Sequence, residues 1–353
     1  MADDLPRAAR FHGVMAVGLL PLILSNMLYF VPTLTQSRPA TGGVWLLPLL
    51  SQLAGGTLVY ALMTDLFWIN LAAPTAIIAA SGVLFWIHRR VANMLGQPNF
   101  GVRWYQVALI FFILSQVTIL VAVNKPEQWV AFRTLHLHFN LLGFVGMTVF
   151  GTLPLLLPTV AGYQDPNTLI HLRTNWKFAI LGTVISTFAT AWMRPLSWVG
   201  MVLWLVPVVR LFKSVIGHRD AFQMQKQVAI SLVGVLAGIV VMAISGVWVM
   251  LGTMAASDSL PLFFVVFLIP LIIGALSHLL PMWWWPGMLL KPRKVASTIL
   301  TFGGLFRSIL FLFCGLLMSA GVSYAADLAL IGVALFLVQI VIALIRSSHT
   351  EHN

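Results

Sequence analysis

The sequence predicts an all-α polytopic membrane protein, and three observations support that fold class. Hydrophobic residues make up 60% of the 353 residues and charged residues 8%, and the mean hydropathy is +0.96. Soluble domains carry about 25% charged residues. Apolar runs of roughly 18 or more residues, each long enough to cross a bilayer as a helix, recur along the whole chain. The single cysteine, Cys314, excludes a disulfide framework and a thiolate metal site.

Taken in chain order, the apolar runs predict eleven transmembrane helices. They cover residues 11–33, 43–64, 66–88, 104–124, 134–158, 174–193, 196–216, 227–254, 260–285, 295–319 and 323–346. The second and third meet at Asp65 with almost no loop between them. No gap is long enough for a soluble domain, so we expect a single transmembrane domain over residues 1–353. The opening MADDLPRAAR lacks the apolar core of a signal peptide, so the first span is expected to act as its own insertion signal.

The basic residues predict an orientation. With eleven spans the loops fall on two sides, and fourteen of the 20 Lys and Arg residues lie on one side and five on the other, with Arg307 inside the tenth span. The positive-inside rule places the richer side in the cytoplasm. We therefore expect a bacterial cytoplasmic (inner) membrane protein with its N-terminus outside and its C-terminus in the cytoplasm. The net charge of +11 reflects this topology and does not indicate a nucleic-acid partner.

An internal repeat divides the chain into three. LLPLILSNMLYFVPTL (19–34) aligns without gaps to LIPLIIGALSHLLPMW (268–283), and each segment has two prolines at the same spacing. His12 precedes Pro32 by the same number of residues as His138 precedes Pro158. The first, fifth and ninth spans are thus equivalent, and the repeat unit is four helices. The predicted pseudo-repeats cover residues 11–124, 134–254 and 260–346.

Histidines near the outer ends of two of these helices are the candidate ligands. His12 and His138 share a depth in the repeat, and His136 lies two residues before His138. An imidazole inside a membrane is costly unless something binds it. Positions two apart on a helix differ by about 200°, so His136 and His138 face opposite clefts. Two imidazoles facing each other across helices are a usual axial pair of a haem, a cofactor that bundle cores accommodate.

Glycines accompany these histidines. The same two helices carry several small positions, namely Gly13, Gly143, Gly146 and Gly151. The missing side chains would allow a flat macrocycle, or another helix, to approach closely. The sequence does not distinguish a macrocycle from a neighbouring helix at these positions.

Residues 136–163 resemble the tenth helix of the catalytic subunit (subunit I) of haem-copper oxidases. That helix carries H-x-H, a proline 22 residues after the first histidine, and Gly-Tyr just beyond, here His136, His138, Pro158, Gly162 and Tyr163. The resemblance implies that the first histidine binds a high-spin haem and the second a low-spin haem.

The segment FHGVMAVGLLPLILSNMLYFVP (11–32) is similar to the second helix of that family, whose H-G-x-x-M-type start supplies the other low-spin ligand. The match falls on His12, which the resemblance therefore pairs with His138. The implied fold is an oxidase subunit I-like bundle without its first helix. His136, with no histidine opposite it in this pairing, becomes the candidate catalytic residue. If the loss of His136 instead erased the low-spin signal, the two assignments would be reversed.

The departures from this family concern copper and protons. The H-P-E-V-Y stretch and the paired histidines that hold copper are absent, so a copper partner is doubtful. No carboxylate falls in mid-membrane to relay protons, so a pump is not expected.

A second resemblance is to the NnrS family, haem-binding membrane proteins linked to nitric oxide resistance. It rests on the H-x-H pattern, Gly143, Phe144 and the following proline.

Two function classes remain from the sequence. The first is a haem b (heme b) protein with one haem or two, carrying electrons or acting on a small gas such as nitric oxide or oxygen; whether it is an enzyme stays open. The second is a protein that binds or transports haem, copper or another solute without redox turnover. Same-direction repeats favour the first class, since transporters commonly show inverted repeats.

Three expectations accompany the first class. Arg133, three residues before His136, is a candidate to pair with a haem propionate. Arg307, in mid-span, needs a carbonyl, carboxylate or propionate partner. The expected partners are membrane lipid and a cytochrome c or other electron-donor subunit, because the chain has no C-x-x-C-H of its own.

Overall fold

The described structure is helical throughout. The computed structural model describes residues 5–94, 96–163, 165–218, 220, 226–285 and 290–349, and no strand occurs in these ranges. Within them, nine helices are long and apolar enough to cross a membrane. Large apolar side chains on these helices are exposed, among them Leu53, Ile78 and Leu330. Such surfaces suit lipid rather than water, as expected of a multi-pass membrane protein.

All eleven predicted spans coincide with helices. Nine of these are the candidate spans: α1 (Ala8–Leu34), α2 (Gly42–Met63), α3 (Leu66–Ala92), α4 (Gly101–Asn124), α5 (Pro126–Ala161), α7 (Arg194–Gly217), α9 (Ser257–Trp284), α10 (Lys291–Ser319) and α11 (Tyr324–His349). The other two are α6 (Thr168–Trp192) and α8 (Lys226–Met250). Whether α6 and α8 also cross stays a prediction.

The boundary between α2 and α3 lies where the sequence indicates. α2 ends at Met63 and α3 begins at Leu66. The side chain of Asp65 accepts a hydrogen bond of 2.9 Å from the Phe67 amide. A carboxylate at this position satisfies one of the amides that the first turn of a helix leaves without a partner. Two residues, Thr64 and the capping Asp65, therefore separate two spans that have almost no loop between them.

The chain divides into two compact units. The first comprises Met1–Leu155 and Pro166–Pro207, and the second comprises Leu156–Asp165 and Val208–Asn353. The first therefore contains α1–α4, α6, most of α5 and the beginning of α7. The second contains α8–α11. The expectation of a single transmembrane domain stays a prediction.

Close glycine contacts join neighbouring helices in the first unit. A Cβ added at Gly55 of α2 would lie 2.4 Å from the Ala16 carbonyl oxygen of α1. A Cβ at Gly182 of α6 would lie 2.5 Å from the Trp204 amide nitrogen of α7. Because the atoms met are backbone, a side chain at either position would force the helices apart. Small residues thus set how closely these helices pack.

In the second unit, glycines also allow neighbouring helices to pack closely against α9. Cβ atoms added at Gly238 of α8 and Gly315 of α10 would both meet Val266, the first at its carbonyl oxygen (2.6 Å) and the second at its side chain (2.3 Å). Two helices therefore converge on one point of α9.

Three helices contain a seven-residue π-helical segment. These segments are Gly13–Leu19 in α1, Phe139–Val145 in α5 and Leu262–Leu268 in α9. The residues immediately before them are His12, His138 and Pro261. The three segments fall at the same register of the predicted repeat. Wide turns of this kind are uncommon and are frequent at functional sites.

The helix α10 is broken, which the single predicted span over 295–319 does not anticipate. Its first part ends at Thr301 and its second begins at Gly304. Gly303 has φ +70°, in the left-handed region, which glycine adopts without a Cβ clash. The Gly-Gly pair at 303–304 is the sequence signal for this break.

Candidate functional site

The helices α1 and α5 of the first unit bring two imidazole rings together. The ring centroids of His12 and His136 are 6.5 Å apart, and the ring planes are inclined by 25°. Both side chains are half-buried. The ring that faces His12 is thus His136, whereas the sequence resemblance pairs His12 with His138. We take the pairing observed in the structure as the basis for the site.

Backbone carbonyls orient both rings of this pair. His12 Nδ1 lies 2.8 Å from the Ala8 carbonyl oxygen of its own helix, and His136 Nδ1 lies 2.9 Å from the Ser115 carbonyl oxygen of α4. A carbonyl only accepts hydrogen bonds, so Nδ1 carries the proton in each neutral ring. Each Nε2 then presents a lone pair. Metal-binding histidines are commonly held in this way.

His138 has the same arrangement on another face of α5. Its Nδ1 lies 2.9 Å from the Thr134 carbonyl oxygen, one turn earlier in the helix. His138 is also half-buried. Its Nε2 is therefore a third potential ligand atom, separate from the His12–His136 pair.

A short polar run in α4 supports His136. The Ser115 carbonyl oxygen accepts from Thr118 Oγ1 at 2.7 Å as well as from His136, and the Ser115 hydroxyl receives Gln116 Nε2 at 3.0 Å. Ser115, Gln116 and Thr118 are all buried. This group was not predicted, and three polar residues within the otherwise apolar helix α4 are its signal in the sequence.

Asn140 is the other polar neighbour of His136. Its Nδ2 donates to the His136 carbonyl oxygen at 3.0 Å and lies 3.3 Å from His136 Nε2. The amide group can therefore donate to the lone pair of Nε2 when no ligand is bound. Any ligand of His136 would have to displace this contact.

Of the other predicted site residues, Arg133 lies near the pair. Its side chain is exposed, three residues before His136 in α5. A cation at this position suits a carboxylate such as a haem propionate.

At Gly143 and Gly151 of α5, a neighbouring helix rather than open space for a macrocycle lies against the glycine. A Cβ at Gly143 would lie 2.6 Å from Phe111 Cβ of α4, and one at Gly151 would lie 2.6 Å from Trp104 Cβ. Both positions therefore serve helix packing, and the space at Gly143 is taken by Phe111. At Gly13, next to His12, an added Cβ would meet nothing within 4 Å. The open position lies beside the first histidine rather than at Gly143.

The separation of the two rings is compatible with the axial ligands of a haem. Among the described residues, no group of three or more His, Cys, Asp or Glu side chains gathers that could hold a metal ion. A protein-bound metal ion usually needs three or four protein ligands, whereas haem iron needs one or two. With metal–nitrogen bonds of about 2 Å, two imidazoles on one iron have ring centroids roughly 6 Å apart. The observed separation is close to this value.

Tyr163, which the oxidase resemblance includes, lies in the second unit. Its ring stacks on His218 with centroids 4.3 Å apart. The Ser214 hydroxyl forms a hydrogen bond with the Tyr163 side chain and donates to the Asp165 carboxylate at 2.5 Å. Burial and the nearby Asp165 raise the pKa of the Tyr163 phenol, while the bond with Ser214 lowers it less. Tyr163 therefore belongs to a polar cluster of the second unit.

Arg307 also lies in the second unit, where carbonyl groups are its partners. Its guanidinium donates to the carbonyl oxygens of Leu300 (2.8 Å) and Phe302 (2.9 Å) and to Gln339 Oε1. Of the three partner types that the sequence left open, the structure shows carbonyls. Arg307 bridges the break in α10.

The fold and the site define an all-helical multi-pass membrane protein with an oriented pair of imidazoles. Comparisons with protein-family models, curated proteins and solved structures found no match. The site chemistry is therefore the basis for a functional proposal.

Proposed function

We propose that the chain is a haem-b-binding membrane protein in which His12 and His136 are the two axial ligands. The observation that carries this proposal is the ring pair itself: two imidazoles from α1 and α5, 6.5 Å apart, each with Nδ1 held by a carbonyl. A bound haem would supply one-electron transfer, the chemistry typical of a bis-histidine site. Arg133 would neutralise a propionate, and Ser115 would hold His136 in its orientation.

This assignment reverses the roles that the oxidase resemblance gives to His136 and His138. With His12 facing His136, no imidazole ring pairs with His138 within the described part of the chain. A second haem with an open position, and therefore any chemistry on nitric oxide or oxygen, is assigned to His138. His136 becomes an electron-transfer ligand rather than the catalytic residue.

The three π-helical segments support the oxidase-like repeat. They recur at the register that the prolines define, and a histidine precedes two of them. In the third copy Pro261 stands at that position. On this basis we propose three four-helix pseudo-repeats, of which two carry ligands. An electron-donor subunit such as a cytochrome c, and location in a bacterial inner membrane, remain part of the proposal.

Reduced-minus-oxidised spectra of purified variants test the axial pair. His12→Ala and His136→Ala should each abolish the low-spin spectrum, because each leaves the iron one imidazole short. The two losses should not add, since they affect one site. His138→Ala should leave that spectrum unchanged. His278→Ala, a half-buried histidine of α9, is the matched control. For His136→Gly, added imidazole should restore part of the signal.

Two results would contradict this proposal. If His138→Ala abolishes the low-spin spectrum while His136→Ala spares it, the oxidase-type pairing holds instead. A colourless preparation from haem-sufficient cells would favour the second function class, binding or transport of haem, copper or another solute without redox turnover.

A further inference from the structure

A cavity lies in the first unit, between helices that do not carry the histidine pair. Its volume is about 550 Å³, within the usual range for ligand sites. Polar lining side chains come from Ser81 and His88 of α3 and from Arg103 and Gln106 of α4. Trp176 of α6 and several apolar side chains complete the wall. The cavity is a groove that is open over most of its surface, and His88 and Arg103 in its lining are exposed.

The basic side chains of the lining lie at one end of the cavity, and the deeper lining is mainly apolar apart from Ser81. His88 lies near the end of α3 and Arg103 near the start of α4, so the charged part of the cavity is at the helix ends. Ser81 precedes His88 by seven residues in α3, and Ile110 follows Arg103 by seven residues in α4. Both therefore lie roughly 10 Å deeper in the membrane, at 1.5 Å per residue. An occupant with a polar head and an apolar tail matches this gradient.

The charge of the cavity favours an anionic head. The Arg103 guanidinium lies 5.1 Å from the ring of Phe100, which in turn packs edge-on against Trp176. None of the lining residues is a carboxylate. A neutral amphipathic ligand would make no charge-assisted hydrogen bond with the exposed Arg103. A phosphate would accept hydrogen bonds from both Arg103 and His88.

We propose that this cavity binds an anionic membrane phospholipid, with its phosphate on Arg103 and His88 and an acyl chain along the deeper apolar wall. Basic pockets between transmembrane helices are known to hold such headgroups. The site does not depend on the proposed haem, because its lining residues do not include the histidine pair.

Lipid exchange on the full-length protein tests this site. Delipidated protein in detergent is mixed with phosphatidylglycerol or phosphatidylcholine, and retained lipid is counted by native mass spectrometry. The wild type should retain phosphatidylglycerol about fivefold better, as expected for one arginine near an anionic headgroup. Arg103→Gln should lose this preference, and Arg103→Lys should keep part of it. Arg173→Gln removes an exposed cation of α6 outside the cavity and should change nothing.

Several outcomes would overturn the proposal. Equal retention of the two lipids, or an equal loss in the Arg103→Gln and Arg173→Gln variants, would show general surface attraction. Release of phosphatidylglycerol by millimolar inorganic phosphate would show a free-anion site. If Arg103→Gln proves unstable, His88→Gln takes its place, and an unchanged lipid preference in that variant would count against the site.

Discussion

At the scale of single residues, two adjacent glycines of α2 have opposite surroundings. A Cβ at Gly55 would lie 2.4 Å from the Ala16 carbonyl oxygen, inside the π-helical segment of α1, whereas a Cβ at Gly56 would meet nothing within 4 Å. Gly55→Ala should therefore lower the free energy of unfolding by about 1–3 kcal/mol, the usual cost of overpacking. Gly56→Ala should leave it unchanged or raise it by up to about 1 kcal/mol through helix propensity.

Thermal unfolding of both variants in the same detergent measures this difference. Because Ala16 lies in the turn that follows His12, Gly55→Ala should also weaken any spectrum that depends on His12. Equal stability of the two variants would mean that α1 and α2 pack less closely than the structure shows.

The histidines show how far sequence reasoning reaches at this scale. The 3.6-residue period predicts that His136 and His138 face different clefts, and in the structure their Nδ1 atoms bond to different carbonyl groups. It does not determine which of them faces His12, because that depends on the rotation of α5 about its axis. The rotation is fixed by tertiary contacts such as Gly143 against Phe111 and His136 against the Ser115 carbonyl. A single sequence does not reveal these contacts.

At the scale of helices, hydropathy predicted where each element lies but not its internal irregularities. The three π-helical segments read GVMAVGL, FNLLGFV and LFFVVFL and share no composition that distinguishes them from ordinary apolar helix. Their common register emerges only when the prolines of the repeat are aligned. The break in α10, in contrast, has a local signal in the Gly-Gly pair.

Arg307 stabilises that break, and its replacement should be costly. It is 6% exposed, it donates to the carbonyl groups of Leu300 and Phe302, which the break frees, and its guanidinium lies 5.2 Å from the Phe336 ring. Arg307→Met would remove the guanidinium donor from Gln339 Oε1 and from both carbonyls, leaving Leu300 with the Ser277 hydroxyl at 3.3 Å and Phe302 with Gln339 Nε2 at 3.2 Å. Because Gln339 Oε1 loses its donor and each carbonyl keeps a longer bond, the free energy of unfolding should fall by about 1–3 kcal/mol in total. Arg307→Lys should recover only part of the loss, because an ammonium lacks the planar fork of the guanidinium.

Stability measurements of these variants form a double-mutant cycle with Gln339→Leu. We expect the losses to be less than additive, because Arg307 and Gln339 share the Phe302 carbonyl. Ser308→Ala is the control, since that hydroxyl donates to Gly304 within its own helix. If Arg307→Met is as stable as Ser308→Ala, the arginine does not hold the break.

At the scale of the whole molecule, the number of crossings decides the topology. Nine described helices are long and apolar enough to cross a membrane. The prediction of eleven crossings depends on whether α6 and α8 also cross. Both nine and eleven crossings place the termini on opposite sides. The two cases differ in the orientation of α7, which lies between α6 and α8. If neither α6 nor α8 crosses, each end of α7 lies on the opposite side of the membrane from its position in the eleven-helix topology.

A cysteine at Gly217, at the end of α7, distinguishes the two topologies. An added Cβ there meets nothing within 4 Å, so the substitution should be tolerated and the thiol accessible. Cys314 is buried and is replaced by alanine to remove the background. With eleven crossings Gly217→Cys lies in the cytoplasm and should react with a membrane-impermeant maleimide only after cells are permeabilised.

Two reference positions calibrate that experiment. Glu127→Cys, before α5, should label in intact cells, and Gln97→Cys, between α3 and α4, should label only after permeabilisation. Neither expectation changes if α6 and α8 do not cross, because both positions precede them in the chain. Labelling of Gly217→Cys in intact cells, with the references behaving as expected, would reduce the count to nine. Reversed references would instead show that the charge distribution of the loops gives the wrong orientation. Because His12 and His136 both precede α6, the orientation of the histidine pair follows from the two references alone.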